Sequence, residues 1–179
     1  MNMIIDVSNI LKEVGASKEF EGGLPLEDMI YQGEKIGFLT PVNVSGSITN
    51  VGEFLILNAN ANVKLQLQCS SCAQPFDRRL EFDLDAKLKK VEDPDDPDIF
   101  VYDGNSVDLR DIVLEYLLLA LPIRKQCCQE CKGLCPYCGC NLNEEQCNCE
   151  LSLDFEEEYE VDSRLEALKN VLTVNGEEV

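Results

Sequence analysis

The chain has 179 residues, 45% of them hydrophobic: enough for one ordinary core, and too apolar for a disordered chain. It carries ten cysteines, no histidine, no tryptophan and a formal net charge of −19. Imidazole chemistry is therefore excluded, and so acidic a surface argues against a DNA partner.

To about Thr40 the pattern is weak. Asp6 to Val14 reads as a strand or a turn of helix, Gly22, Gly23 and Pro25 punctuate the segment, and no function is placed there. Val42, Val44 and Ile48, alternating with Asn43, Ser45 and Ser47, predict a strand with one buried face. Leu55, Leu57, Ala59, Ala61, Val63, Leu65 and Leu67 then keep strict period two, with Cys69 continuing the apolar phase. Leu80, Phe82, Leu84, Ala86 and Leu88 do the same against charged neighbours. Two long strands joined through Ser70 to Pro75 predict a hairpin, with Cys69-Ser-Ser-Cys72 at its tip.

Residues 92–98 form an acidic, proline-broken connector; a calcium loop would need a turn glycine and a terminal glutamate that are missing. A helix follows. Asp108 is placed to cap it, Ile112, Val113 or Leu114, Tyr116, Leu117 and Ala120 or Leu121 give it a broad apolar face, and Pro122 stops it. Glu115 is expected to face solvent. Near the end, Ser163 to Glu166 matches a capping box before Leu165, Leu168 and Leu172, predicting a short terminal helix. No stretch approaches the ~18 apolar residues of a membrane span. The start, Met1 to Ile10, has no basic leader and no long apolar run, so a reducing cytoplasm is the expected compartment.

In such a compartment cysteines stay free or bind metal. Cys69-x-x-Cys72, Cys128-x-x-Cys131, Cys135-Pro-Tyr-Cys138-Gly and Cys147-Asn-Cys149 are four pairs at metal-ligand spacing. Two intervening residues let both sulfurs turn onto one tetrahedral ion. In the third pair proline opens the turn and Gly139 supplies the left-handed residue that closes it. The expected grouping has two structural zinc sites: Cys135, Cys138, Cys147 and Cys149 locally, and Cys69 and Cys72 with Cys128 and Cys131. Cys127 and Cys140 are left over, as substitute ligands or plain thiols, and a single-zinc arrangement stays open. A redox Cys-x-x-Cys normally opens a helix that lowers the thiol pKa; here Cys69 ends a strand and Pro75 begins another. An all-thiolate iron–sulfur cluster is the lesser metal reading. Arg78, Arg79, Arg124, Lys125 and Lys132 flank the expected hairpin site. They read either as compensation of a negative tetrathiolate or as a small patch facing RNA or a protein partner.

These residues carry a resemblance. Cys69-Ser-Ser-Cys72-Ala-Gln-Pro-Phe76 resembles the Cys-x-x-Cys-x-x-Pro-Phe element of the YceD family, the large ribosomal RNA subunit accumulation proteins. The helix ending Leu119-Ala-Leu-Pro122 is similar to that family's, as are Cys131 to Gly139, Asn141-Leu-Asn143, the Cys147/Cys149 pair and Asp162-Ser-Arg-Leu-Glu-Ala-Leu168. Serine stands where the family's ending has proline, and Cys127 and Cys140 lie outside its pattern. The resemblance implies a non-enzymatic bacterial factor needed for large-subunit ribosomal RNA to accumulate.

The expected fold is α+β: a mostly antiparallel curved sheet or partial β-barrel with one packed helix, a zinc-knuckle module and a short C-terminal helix. Residues 1–126 form the core domain, 127–150 the cysteine-rich zinc module, and 151–179 an acidic segment with the terminal helix. The partner is large-subunit ribosomal RNA, its precursor or a basic ribosomal protein, with no membrane and no DNA. A thiol redox or metal-relay protein is the rival.

Overall fold

The computed structural model of the chain describes residues 3–91, 96 and 98–149. In chain order these form β1 (Ile4–Asp6), a 3-10 turn (Ile10–Lys12), β2 (Ser17–Leu24), β3 (Met29–Tyr31), β4 (Glu34–Phe38), β5 (Val42–Asn50), β6 (Leu55–Gln68), β7 (Pro75–Lys89), β8 (Ile99–Val101), β9 (Ser106–Asp108) and α1 (Arg110–Ala120). The chain divides into two units, Met1–Gln146 and Cys147–Val179. Only Cys147 to Cys149 of the second are described, so the terminal helix expected over 163–172 lies outside the described residues, as does most of the acidic connector.

The long period-two runs become the centre of a seven-stranded sheet. β6 and β7 pair without interruption from Leu55↔Leu88 to Gln68↔Pro75. The other edge of β6 is shared: β5 takes its first half and β4 its second, at Gly37↔Gln66 and Phe38↔Leu65. All pairings are antiparallel except β7 with β8. The sheet does not close on itself: among the described residues β2 is bonded only to β5, and β8 only to β7. Among the described residues the architecture is therefore a mostly antiparallel open sheet with one helix.

Burial explains the pattern. Leu55, Leu57, Ala61, Val63, Leu65 and Leu67 of β6 and Phe82, Leu84, Ala86 and Leu88 of β7 are buried, while their alternate neighbours are largely exposed. α1 lies against β7 and adds Ile112, Val113 and Leu117 to this core. Leu114 is half-buried, and Glu115 is exposed as its place on the helix requires. Asp108 is the last residue of β9, not the cap; Leu109 holds that position, and the Asp108 carboxylate accepts the Arg110 amide at 3.0 Å. Leu121 turns extended before Pro122, as a residue preceding proline must, and the helix ends there.

The four strands before Thr40, β1 to β4, are not apparent from the sequence. In β2 the inward phase is Lys18, Phe20, Gly22 and Leu24, and only Leu24 is fully buried. Its order comes from full-length pairing with β5, where Phe20 sits opposite Gly46. Gly46 is obligatory: a Cβ there would lie 2.3 Å from the Asn58 carbonyl oxygen and 2.4 Å from the Ala59 Cβ. Among the described residues no helix is long and apolar enough to cross a membrane.

Candidate metal centres

The β6–β7 hairpin closes through six residues after the Gln68↔Pro75 pair. Cys69 keeps the inward phase of β6 and is buried. Its amide donates to the Gln74 carbonyl at 2.9 Å, and its carbonyl accepts the Ala73 amide at 2.9 Å. Ala73 is left-handed, with φ 58°, which turns the chain back and leaves Cys72 buried beside Cys69.

Beyond α1 the chain passes this tip and is fastened to it at two points. The Ser70 amide donates to the Lys125 carbonyl at 2.7 Å, and the Leu134 amide donates to the Ser71 carbonyl at 3.0 Å. The Lys125 ammonium is paired with Glu34 of β4. Gly133, at φ 77°, makes the second approach possible, since a Cβ there would lie 3.1 Å from the Ser71 carbonyl oxygen.

Between these fastenings four sulfurs converge. Cys69, Cys72, Cys127 and Cys131 place their ligand atoms within 4.8 Å of one another, with Cys69 to Cys131 and Cys72 to Cys127 both at 3.8 Å. A tetrahedral ion with Zn–S bonds of about 2.3 Å has S···S edges of about 3.8 Å, so this donor set fits zinc in size and chemistry. Cys128, expected in this group from spacing, is not one of the four. It is exposed, 3.9 Å from the Cys127 sulfur, and Cys127 takes the place. The Cys128 sulfur stays beside that of Cys127 but lies outside the set whose ligand atoms are all within 4.8 Å of one another.

The electrostatics are those of a crowded anion site. Burial pushes the Cys69 thiol up, but hydrogen bonds with the Cys72, Cys127 and Ser71 backbones outweigh it and bring the thiol down to about 6. The Asn143 side-chain amide, 3.5 Å from the Cys131 sulfur, lowers that thiol. Burial and neighbouring sulfurs raise Cys127. Cys72 is raised despite the Gln74 backbone, through burial and the Cys69 and Cys131 sulfurs. Four thiolates this close repel one another. A dication at their centre removes the conflict, because a coordinating thiol is deprotonated outright.

Of the second zinc group expected from the sequence, Cys135 and Cys138 sit on a knuckle. The Gly139 amide donates to the Cys135 carbonyl at 2.9 Å, the Cys135 amide to the Cys140 carbonyl at 2.8 Å, and Gly139 is left-handed at φ 73°. The Asn141 side-chain oxygen accepts the Asn143 backbone amide at 3.1 Å, and the Asn143 side-chain oxygen accepts the Lys132 backbone amide at 2.9 Å. Asn143 thus links knuckle and sulfur group, a role that its place in the sequence does not announce.

The flanking cations are not all brought together. Arg78 lies on the inward phase of β7 with Phe76 and Leu80, opposite Leu65, whereas Arg79 lies on the other face, opposite Lys64. Arg78, Arg124 and Lys125 line one cavity, and Lys132 is not among its lining residues.

One family, described as large ribosomal RNA subunit accumulation protein YceD, matches residues 57–172, more than half of the chain. No curated protein and no solved structure matches.

Proposed function

The chain belongs to the YceD family of large ribosomal RNA subunit accumulation proteins, and from that premise we propose that it is a non-enzymatic bacterial factor of large-subunit biogenesis, acting in the cytoplasm by binding. The family match carries this reading, since it ties the chain to the accumulation of large-subunit ribosomal RNA. In this reading residues 1–126 are a scaffold, 127–150 a metal module and 151–179 an acidic segment. The bound species is the RNA, its precursor or a basic ribosomal protein. The net charge of −19 favours a basic protein over much of the surface, and the local cations favour RNA near the hairpin tip.

Zinc is proposed as the structural ion, held by Cys69, Cys72, Cys127 and Cys131, with a second on Cys135, Cys138, Cys147 and Cys149. Four protein ligands leave no open position for water, so such an ion cross-links the chain and does not activate a nucleophile. The first site joins the hairpin tip to the segment after α1.

The test is direct. In cells lacking the chain, the ratio of large- to small-subunit ribosomal RNA should fall, and the intact chain should restore it. An unchanged ratio would remove the reading. A redox function has one observation on its side, the lowered Cys69 thiol. That thiol is only 2% exposed, so a redox partner has little access to it. Reversible disulfide formation with the fold intact and no metal bound would bring that function forward.

A further inference from the structure

We propose that the cavity between the start of β7 and the segment after α1 holds a phosphate group of single-stranded RNA. The inference rests on the reading that the chain serves large-subunit RNA, and it commits that reading to RNA at this place.

The cavity measures about 340 Å³, near the lower end of the ~300–1,000 Å³ typical of ligand pockets and suited to one nucleotide. Phe76 and Arg78 form one wall, and Pro122 with Arg124 to Gln129 form the other. Among the described residues no carboxylate lines this space. Lys125 is committed to Glu34. Arg78 and Arg124 are exposed and, among the described residues, make no ion pair.

Guanidinium is the side chain best matched to phosphate, because its planar donors meet two oxygens at once. A half-buried Phe76 ring offers a base a stacking surface, and the Gln126 and Gln129 amides offer hydrogen bonds to a base edge. A basic protein segment would be repelled here. At ~0.1 M salt the Debye length is about 10 Å, so carboxylates farther away are largely screened while the cavity cations act at contact. The competing account is that the arginines only offset the charge of a zinc tetrathiolate, which is about −2.

The experiment uses the full, metal-loaded chain and a short labelled single-stranded RNA of mixed sequence at ~0.1 M salt, read by fluorescence anisotropy. Arg78→Gln with Arg124→Gln should weaken binding at least ~tenfold, and Arg124→Gln alone about threefold, by half that free energy. Arg79→Gln with Lys132→Gln should leave affinity unchanged within about twofold, since neither residue lines the cavity. The proposal is overturned by equal losses in the two double variants, by no RNA binding in the unsubstituted chain, or by AMP competing as tightly as the RNA. It is also overturned if the Arg78/Arg124 variant loses metal while its RNA affinity stays. In cells, full rescue of large-subunit RNA by that variant defeats the cavity assignment and spares the family reading. An unchanged RNA ratio without the chain defeats both.

Discussion

The body and the tip of the β6–β7 hairpin are one continuous element held by different physics. Along most of the body inward residues meet across the strands, as Leu55 with Leu88 and Leu57 with Ala86, and both members of these two pairs are buried. Past Gln68 the apolar pairs stop. The segment that straps the tip leaves Ile123, Leu134 and Tyr137 exposed, and its buried residues are Gly133 and Cys135. Burial of apolar area, at ~25 cal/mol per Å², therefore stabilises the sheet and contributes little to the cysteine segment. That segment is ordered by a few backbone hydrogen bonds and by converging sulfurs, and ordering each of its residues costs about 1–2 kcal/mol of backbone entropy. Metal ligation is the term able to offset that cost.

The comparison breaks if damage to one region spreads to the other. The largest effect is expected in the body. Leu57 is fully buried, and Leu57→Ala should destabilise the sheet by ~2–5 kcal/mol in urea unfolding. Cys69 is ~40 Å farther along the strand at about 3.3 Å per residue, so metal content before the transition should not change. The next effect is local. Cys127→Ser should lower bound metal by one ion per chain in elemental mass spectrometry and open residues 122–134 to proteolysis, while the far-UV β signal persists. Cys128→Ser should keep both the ion and the resistance. If Cys127→Ser also keeps its ion, Cys128 has replaced it, and the ligand belongs to the adjacent pair rather than to one residue.

The contrast also separates what could be read in the sequence from what could not. Period two on both strands makes the β6–β7 body legible, because alternation is what a half-buried strand requires. The same alternation splits Arg78 from Arg79, since Arg78 shares the phase of Phe76 and Leu80. That signal is present in the sequence, although the two arginines read at first as one patch. β2 carries no comparable mark: its inward phase contains a lysine and a glycine, and its place depends on Gly46 allowing β5 and β6 to approach. At the sulfur group, spacing does not choose between Cys127 and Cys128; the chain is fastened to the tip at Lys125 and Leu134 on either side of them, and such tertiary contacts are not written in the spacing.

The subtlest expected effect tests whether the tip is a set of ligands or a supported site. Asn143 is not a ligand. Its side-chain nitrogen lies 3.5 Å from the Cys131 sulfur, and its oxygen accepts the Lys132 amide. It thus stabilises the thiolate and holds the backbone that positions it. Groups that orient metal ligands typically contribute 10–100-fold in affinity, so Asn143→Ala should weaken binding at the hairpin group by ~10–100-fold in a chelator competition, with stoichiometry retained when metal is in excess. The sign with pH follows from the Cys131 thiol, which is lowered chiefly by this amide. Without the amide the thiol rises and protons compete better for the sulfur. The deficit of the variant should therefore grow as pH falls and shrink as pH rises past the ordinary thiol range. A deficit independent of pH would assign Asn143 to backbone positioning alone. No deficit at all would mean that the Lys125 and Leu134 fastenings suffice to hold Cys131 in place.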